Sequence, residues 1–126
     1  VEKDRAVAIL PLVPPGKHAK RFPFEGLSVG CSRGNPPTCE RETIAGKRLA
    51  VRRDDGVAFF WQADKAQARG RSGGPLLDGE GRVIGLAAAT ALGKGYSVHA
   101  SEIHAALKPE GFDWLWSAKP GSGRAE

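Results

Sequence analysis

Methionine is absent from all 126 residues, and the chain opens on Val1-Glu2-Lys3-Asp4 rather than on an initiator. We expect a processed product or a piece of a longer polypeptide, whose localisation signals would then lie elsewhere. Long apolar runs are lacking too. The longest, residues 6–13 and 83–92, fall well short of the about 20 residues a helix needs to cross a bilayer, so no transmembrane segment is expected. Cysteine is scarce: Cys31 and Cys39 alone cannot build a zinc site, and no histidine lies at ligand spacing beside them. No metal and no cofactor are therefore expected. The two cysteines flank a turn-rich loop, residues 32–38. A disulfide closing it in an oxidising, extracytoplasmic compartment and a pair of ordinary thiols both fit that spacing.

What is present is the composition of a folded domain. Hydrophobic residues make up 40% and charged residues 26%, which excludes a disordered chain. Lys and Arg outnumber Asp and Glu by 19 to 14. The basic residues gather at 17–21, 47–48, 52–53 and 69–71, without interleaved aromatics or a recognisable binding motif. Solvated loops and strand ends explain them, and no nucleic-acid partner is expected.

Short apolar stretches punctuated by Gly, Pro and Asp predict strands at residues 5–12, 27–31, 42–45, 48–53, 57–62, 75–77, 83–89 and 95–99. Turns fall at 54–56, 78–81 and 93–95. Residues 101–107 read as the single helix, with Ser101 as N-cap and Pro109 as its stop. The expectation is an all-β domain at residues 1–118, an antiparallel barrel closed by a short C-terminal helix, with a flexible tail at 119–126. Trp114 and Trp116 are expected to pin the closing segment to the barrel.

The most informative stretch is Gly70-Arg71-Ser72-Gly73-Gly74-Pro75-Leu76. Glycine tolerates backbone conformations that other residues resist, so a serine between glycines can sit on a sharp bend with its hydroxyl exposed. The surrounding N–H groups are then free to face an oxyanion. Pro75 marks the end of the turn and the start of a strand. Ser72 is the candidate nucleophile. A serine hydroxyl attacks only when a histidine accepts its proton, and an aspartate fixes that histidine's tautomer.

The serine segment, with Asp78-Gly79-Glu80-Gly81-Arg82-Val83-Ile84-Gly85 after it, resembles the trypsin-like (chymotrypsin-fold) serine peptidases, nearest in style to the bacterial HtrA/Deg branch. Asp4-Arg5-Ala6-Val7-Ala8-Ile9-Leu10 resembles the strand that begins with the triad aspartate. Leu27-Ser28-Val29-Gly30-Cys31 resembles the strand opening the second barrel. Gly95-Tyr96-Ser97-Val98-His99, with the helix after it, resembles the last strand and closing helix. The resemblance implies a Greek-key barrel, the second lobe of a double-barrel fold, and a polypeptide substrate. It assigns Asp4 to orient the histidine and the N–H groups of Gly70 and Ser72 to the oxyanion hole. It lines the substrate pocket with Ala66, Ala88, Ala89 and Thr90, where no carboxylate offers a counter-charge to Lys or Arg.

Two departures follow from the same resemblance. The family's histidine precedes its aspartate by tens of residues, whereas only three residues precede Asp4, and His18, His99 and His104 do not match the position. The general base is expected from a preceding barrel, and these residues alone are expected to hydrolyse peptides poorly. Arg71 stands where the family usually carries Asp or Asn; in trypsin-like zymogens an Asp there captures a new N-terminal amine, which arginine cannot do.

Other readings stay open. Residues 70–74 also satisfy the G-x-S-x-G elbow of α/β-hydrolases, with His99 or His104 downstream, but that elbow needs a helix after the serine and βαβ units around it. A barrel without catalysis that binds peptides by strand addition is the further alternative.

Overall fold

The computed structural model describes residues 10–51, 54 and 56–116. Six antiparallel strands close into one barrel in the order β1-β2-β3-β6-β5-β4. They are β1 Phe24–Gly30, β2 Thr38–Val51, β3 Val57–Ala63, β4 Pro75–Leu77, β5 Val83–Ala91 and β6 Lys94–His99. Because β3 pairs with β6, the connection from β3 to β4 must cross one end of the barrel. That connection carries Ser72.

The interior is built around one large side chain. Trp61 is buried among Val13, Ile44, Ala63, Leu76, Ile84 and Ala100, with Phe24 against the cluster. Burying about 150–250 Å² of aromatic surface at ~25 cal/mol per Å² contributes roughly 4–6 kcal/mol. The indole Nε1–H donates to the Ile84 carbonyl at 2.7 Å, so its one polar group is satisfied. On β6, Gly95, Ser97 and His99 are buried, as the period-two alternation of a strand requires. On β5, a Cβ at Gly85 would come within 2.9 Å of Trp61 Cδ1 and 2.6 Å of the Val98 carbonyl. Only glycine fits there.

Two expected strands, 42–45 and 48–53, are one: β2 runs unbroken through Gly46 by way of an irregularity between Ile44 and Gly46. A bulge bends a strand without ending it, which is how β2 serves both β1 and β3. The expected strand at 5–12 lies mostly outside the described residues, although Leu12 bridges Val83 in parallel.

The helix α1, Ala100–Leu107, follows β6 without a loop. Its N-cap is His99, not Ser101: the imidazole Nδ1 accepts from the Ser101 amide at 3.0 Å and lies 2.9 Å from the Ser101 hydroxyl. Glu102 ties the first turn to β3 by accepting from the Phe59 amide at 3.0 Å. Pro109 does not stop the chain turning; it sits in a 3₁₀ turn, Lys108–Glu110, that ends at left-handed Gly111. Trp116 packs on His104 at 4.8 Å between ring centroids, while Trp114 is half exposed. The Leu12 amide donates to the Leu115 carbonyl and joins the closing segment to the barrel. Cys31 and Cys39 are free thiols, so the loop between them is closed by β1–β2 pairing rather than by a disulfide.

Among the described residues, no helix is long and apolar enough to cross a membrane.

Candidate active site

Ser72 is exposed, three residues ahead of β4. Its bend depends on two left-handed glycines, Gly70 (φ 96°) and Gly73 (φ 85°). At Gly70 the need is double, because a side chain there would run into the Cys31 carbonyl oxygen. Gly74 is held to glycine by close approach alone, to the Val29 carbonyl.

The loop is fixed at both ends. On one side the Arg33 amide donates to the Arg69 carbonyl at 2.6 Å. On the other, the Gly73 amide donates to the Ala87 carbonyl at 2.7 Å, and the Ala87 amide donates back to the Gly74 carbonyl at 2.9 Å. These bonds aim the amides between them. In a trans peptide the C=O and N–H point in opposite directions. With the Arg69 carbonyl held by Arg33, the Gly70 N–H is turned away from the β1–β2 hairpin. The Arg71 carbonyl accepts from the Gly74 amide at 3.2 Å, which turns the Ser72 N–H away from Gly74. Neither amide has a protein acceptor among the described residues.

Beside Ser72 lies an open cleft of about 290 Å³, walled by Gln67, Ala68, Arg69, Gly70, Ser72 and Thr90. Of the residues expected to line a substrate pocket, Thr90 is in this wall. Ala66, Ala88 and Ala89 are exposed and outside it. The register shift between Ala87 and Ala89 leaves Ala88 without a β6 partner. No carboxylate stands in the cleft wall, and Gln67 is anchored by donating to Glu42 Oε2 at 2.9 Å.

None of the three histidines bonds to Ser72 in the described structure. His18 edges onto Trp61 and His99, at 5.5 and 4.6 Å between centroids. His104 Nε2 lies 2.6 Å from the Val13 carbonyl. His99 is fully buried, 4.2 Å from the Trp61 ring, and holds its pKa near 4 rather than 6.5. Burial is the main cause, followed by the charges of Lys47, His18 and His104. A neutral imidazole suits its capping role, because a protonated Nδ1 could not accept from Ser101. Asp4 lies outside the described residues. After the serine the chain enters β4, not a helix, and the barrel contains no βαβ unit, so the α/β-hydrolase elbow has no scaffold here.

Sequence reasoning missed the destination of Arg71. Its guanidinium is turned inward between β1 and β2 and is buried, with 1% of the side chain exposed. Nη1 donates to the Gly30 carbonyl, the Ser32 hydroxyl and the Thr38 hydroxyl at 3.0–3.1 Å. Nη2 donates to the Ser28 carbonyl at 2.9 Å, the Ser28 hydroxyl at 3.0 Å and the Thr38 carbonyl at 3.1 Å. Glu40 supplies the counter-charge at 3.1 Å. The signal available in the sequence was the run of hydroxyl residues, Ser28, Ser32 and Thr38, around the first turn.

The barrel is that of solved protease structures with the chymotrypsin-like fold. Rv3671c protease in its inactive form matches with a TM-score of 0.68 and 25% identity, over 80% of this chain and 54% of that one. Its active form, from M. tuberculosis, gives 0.67 and 24% over 80% and 48%. An inactive serine-to-alanine mutant from M. tuberculosis H37Rv gives 0.66 and 21% over 87% and 55%. The chain thus spans about half the length of these neighbours. No family model matches it, and no curated protein sequence does.

Proposed function

We propose that this chain is the serine-bearing barrel of a trypsin-like serine endopeptidase of the HtrA-like bacterial style. Ser72 attacks the peptide carbonyl, and the N–H groups of Gly70 and Ser72 receive the negative charge that develops on its oxygen. Asp4 orients a histidine that a preceding, N-terminal barrel supplies, and that histidine accepts the Ser72 proton and passes it to the leaving amine. The substrate's polypeptide chain lies over the cleft between residues 67–70 and Thr90, with Ala66, Ala88 and Ala89 along its approach. No metal or cofactor takes part.

The observation that carries this reading is the pair of unpartnered amides flanking an exposed serine, each aimed by a bond to the carbonyl before it. Such preorganised donors are worth about 10²–10³ in rate per donor. The likeness to protease structures supports it independently. The test is a fluorophosphonate probe on the intact polypeptide that includes the preceding barrel. Labelling should map to Ser72, and Ser72→Ala should abolish both labelling and peptide cleavage. A protein that binds peptides but leaves the probe unreacted would instead be a barrel that recognises peptides without cutting them.

A further inference from the structure

Most of the Ser72 loop is held by backbone bonds, but its central side chain points the other way. Arg71 turns into the barrel while its neighbours Gly70 and Ser72 present amides outward. All of its side-chain partners belong to the stretch from Ser28 to Glu40, the end of β1, the turn after it and the start of β2. The same turn contains Arg33, whose left-handed backbone (φ 54°) delivers the amide that holds the Arg69 carbonyl. Arg71 is therefore bound to the structure that aims the Gly70 N–H. The fit is close: a Cβ at Gly30 would stand 3.1 Å from Arg71 Cα and 3.2 Å from its Cβ.

We infer that Arg71 is a positioning residue: by locking into Ser28, Gly30, Ser32, Thr38 and Glu40 it holds the Ser72 loop with the Gly70 amide turned outward, so that the site is set by a side chain of its own barrel. This rests on the reading of Ser72 as a nucleophile. The contact is made within the barrel itself, between the serine loop and the first two strands. An inward carboxylate would need a cation brought to it. An inward guanidinium finds its acceptors already in β1 and β2, and planar Arg is the side chain that can serve so many acceptors at once.

The test reads the loop directly. In ¹H–¹⁵N spectra of the full chain, Arg71→Met should move the Gly70 and Ser72 amide resonances and change their solvent exchange at least tenfold, while α1 amides stay in place. Arg71→Lys should restore part of that change, as should added guanidinium ion in the Arg71→Met protein. Loss of general stability alone would not produce such a local, restorable signature. Should Arg71→Met fail to fold, Glu40→Gln, which keeps the guanidinium and its other bonds, is expected to shift the same two resonances. Gly70 and Ser72 resonances unmoved in the folded variant would overturn the inference. In the intact polypeptide, Arg71→Met should slow fluorophosphonate labelling at least 30-fold with product-peptide affinity unchanged. If the unaltered protein does not react at all, the hydrolytic reading falls, and the amide resonances still decide the role of Arg71.

Discussion

Replacing His99 by Asn should flatten the acid limb of the stability curve. The unfolded imidazole takes up a proton at its ordinary pKa of 6.5, whereas the folded one does so only near 4. Between those values the unfolded state binds more protons, so acidification favours unfolding. The contribution of a neutral His99 is complete above about pH 6.5 and is gone by about pH 4. At about 1.4 kcal/mol per pH unit the interval amounts to about 3 kcal/mol, a large share of the 5–15 kcal/mol typical of a domain. Asn keeps an acceptor for the Ser101 amide and does not titrate. Its smaller side chain gives up contact with Trp61, which lowers the whole curve by roughly 1–2 kcal/mol without changing its shape. Urea unfolding followed by tryptophan fluorescence from pH 4 to 7.5 measures both effects. Carboxylates titrate in both proteins and cancel in the difference. Parallel curves for the two proteins would refute the reasoning, because they would mean that His99 meets acid equally well folded and unfolded.

Three further outcomes follow from the geometry. Trp61→Phe removes the donor to the buried Ile84 carbonyl and should cost about 1–3 kcal/mol in urea unfolding, beyond any packing loss. Gly70→Ala places a methyl group against the Cys31 carbonyl on a left-handed backbone; probe labelling at Ser72 should fall at least 100-fold, a loss about the size of one oxyanion donor. Ser72→Ala, at an exposed position, should leave the unfolding midpoint within about 0.5 kcal/mol of the parent while abolishing labelling. A large stability loss there would mean that the hydroxyl supports the fold instead.

Much of the barrel is legible in residue types because its strands obey simple local rules. Pro75 suits the first position of a strand, where no ladder donor is needed, and β4 starts on it. The Gly93-centred turn separates β5 from β6 as expected. The boundaries that differ do so for tertiary reasons. Gly46 looks like an interruption, but partners on both sides keep β2 going. Phe24 lies beyond the predicted start of β1 because Pro23 and Gly26 weaken the local signal, while packing against Trp61 favours it. Ser101 is a better cap by propensity than His99, yet β6 delivers the imidazole to the helix end already buried. At the site, the serine and its glycines are a local signature and were visible. The direction of the Arg71 side chain was not, because its partners lie 31–43 positions away and meet it only after β1 and β2 pair.

A cylinder of strands is only as tight as its narrowest join. Here β4 is three residues long and meets β1 through two residue pairs, Leu27 with Leu77 and Ser28 with Leu76. Elsewhere the staves are stitched along three to seven positions. Spontaneous opening should begin where the fewest bonds must break. That line runs just past Ser72, so a parting there would slacken the serine loop while Trp61 and the wider joins stayed whole.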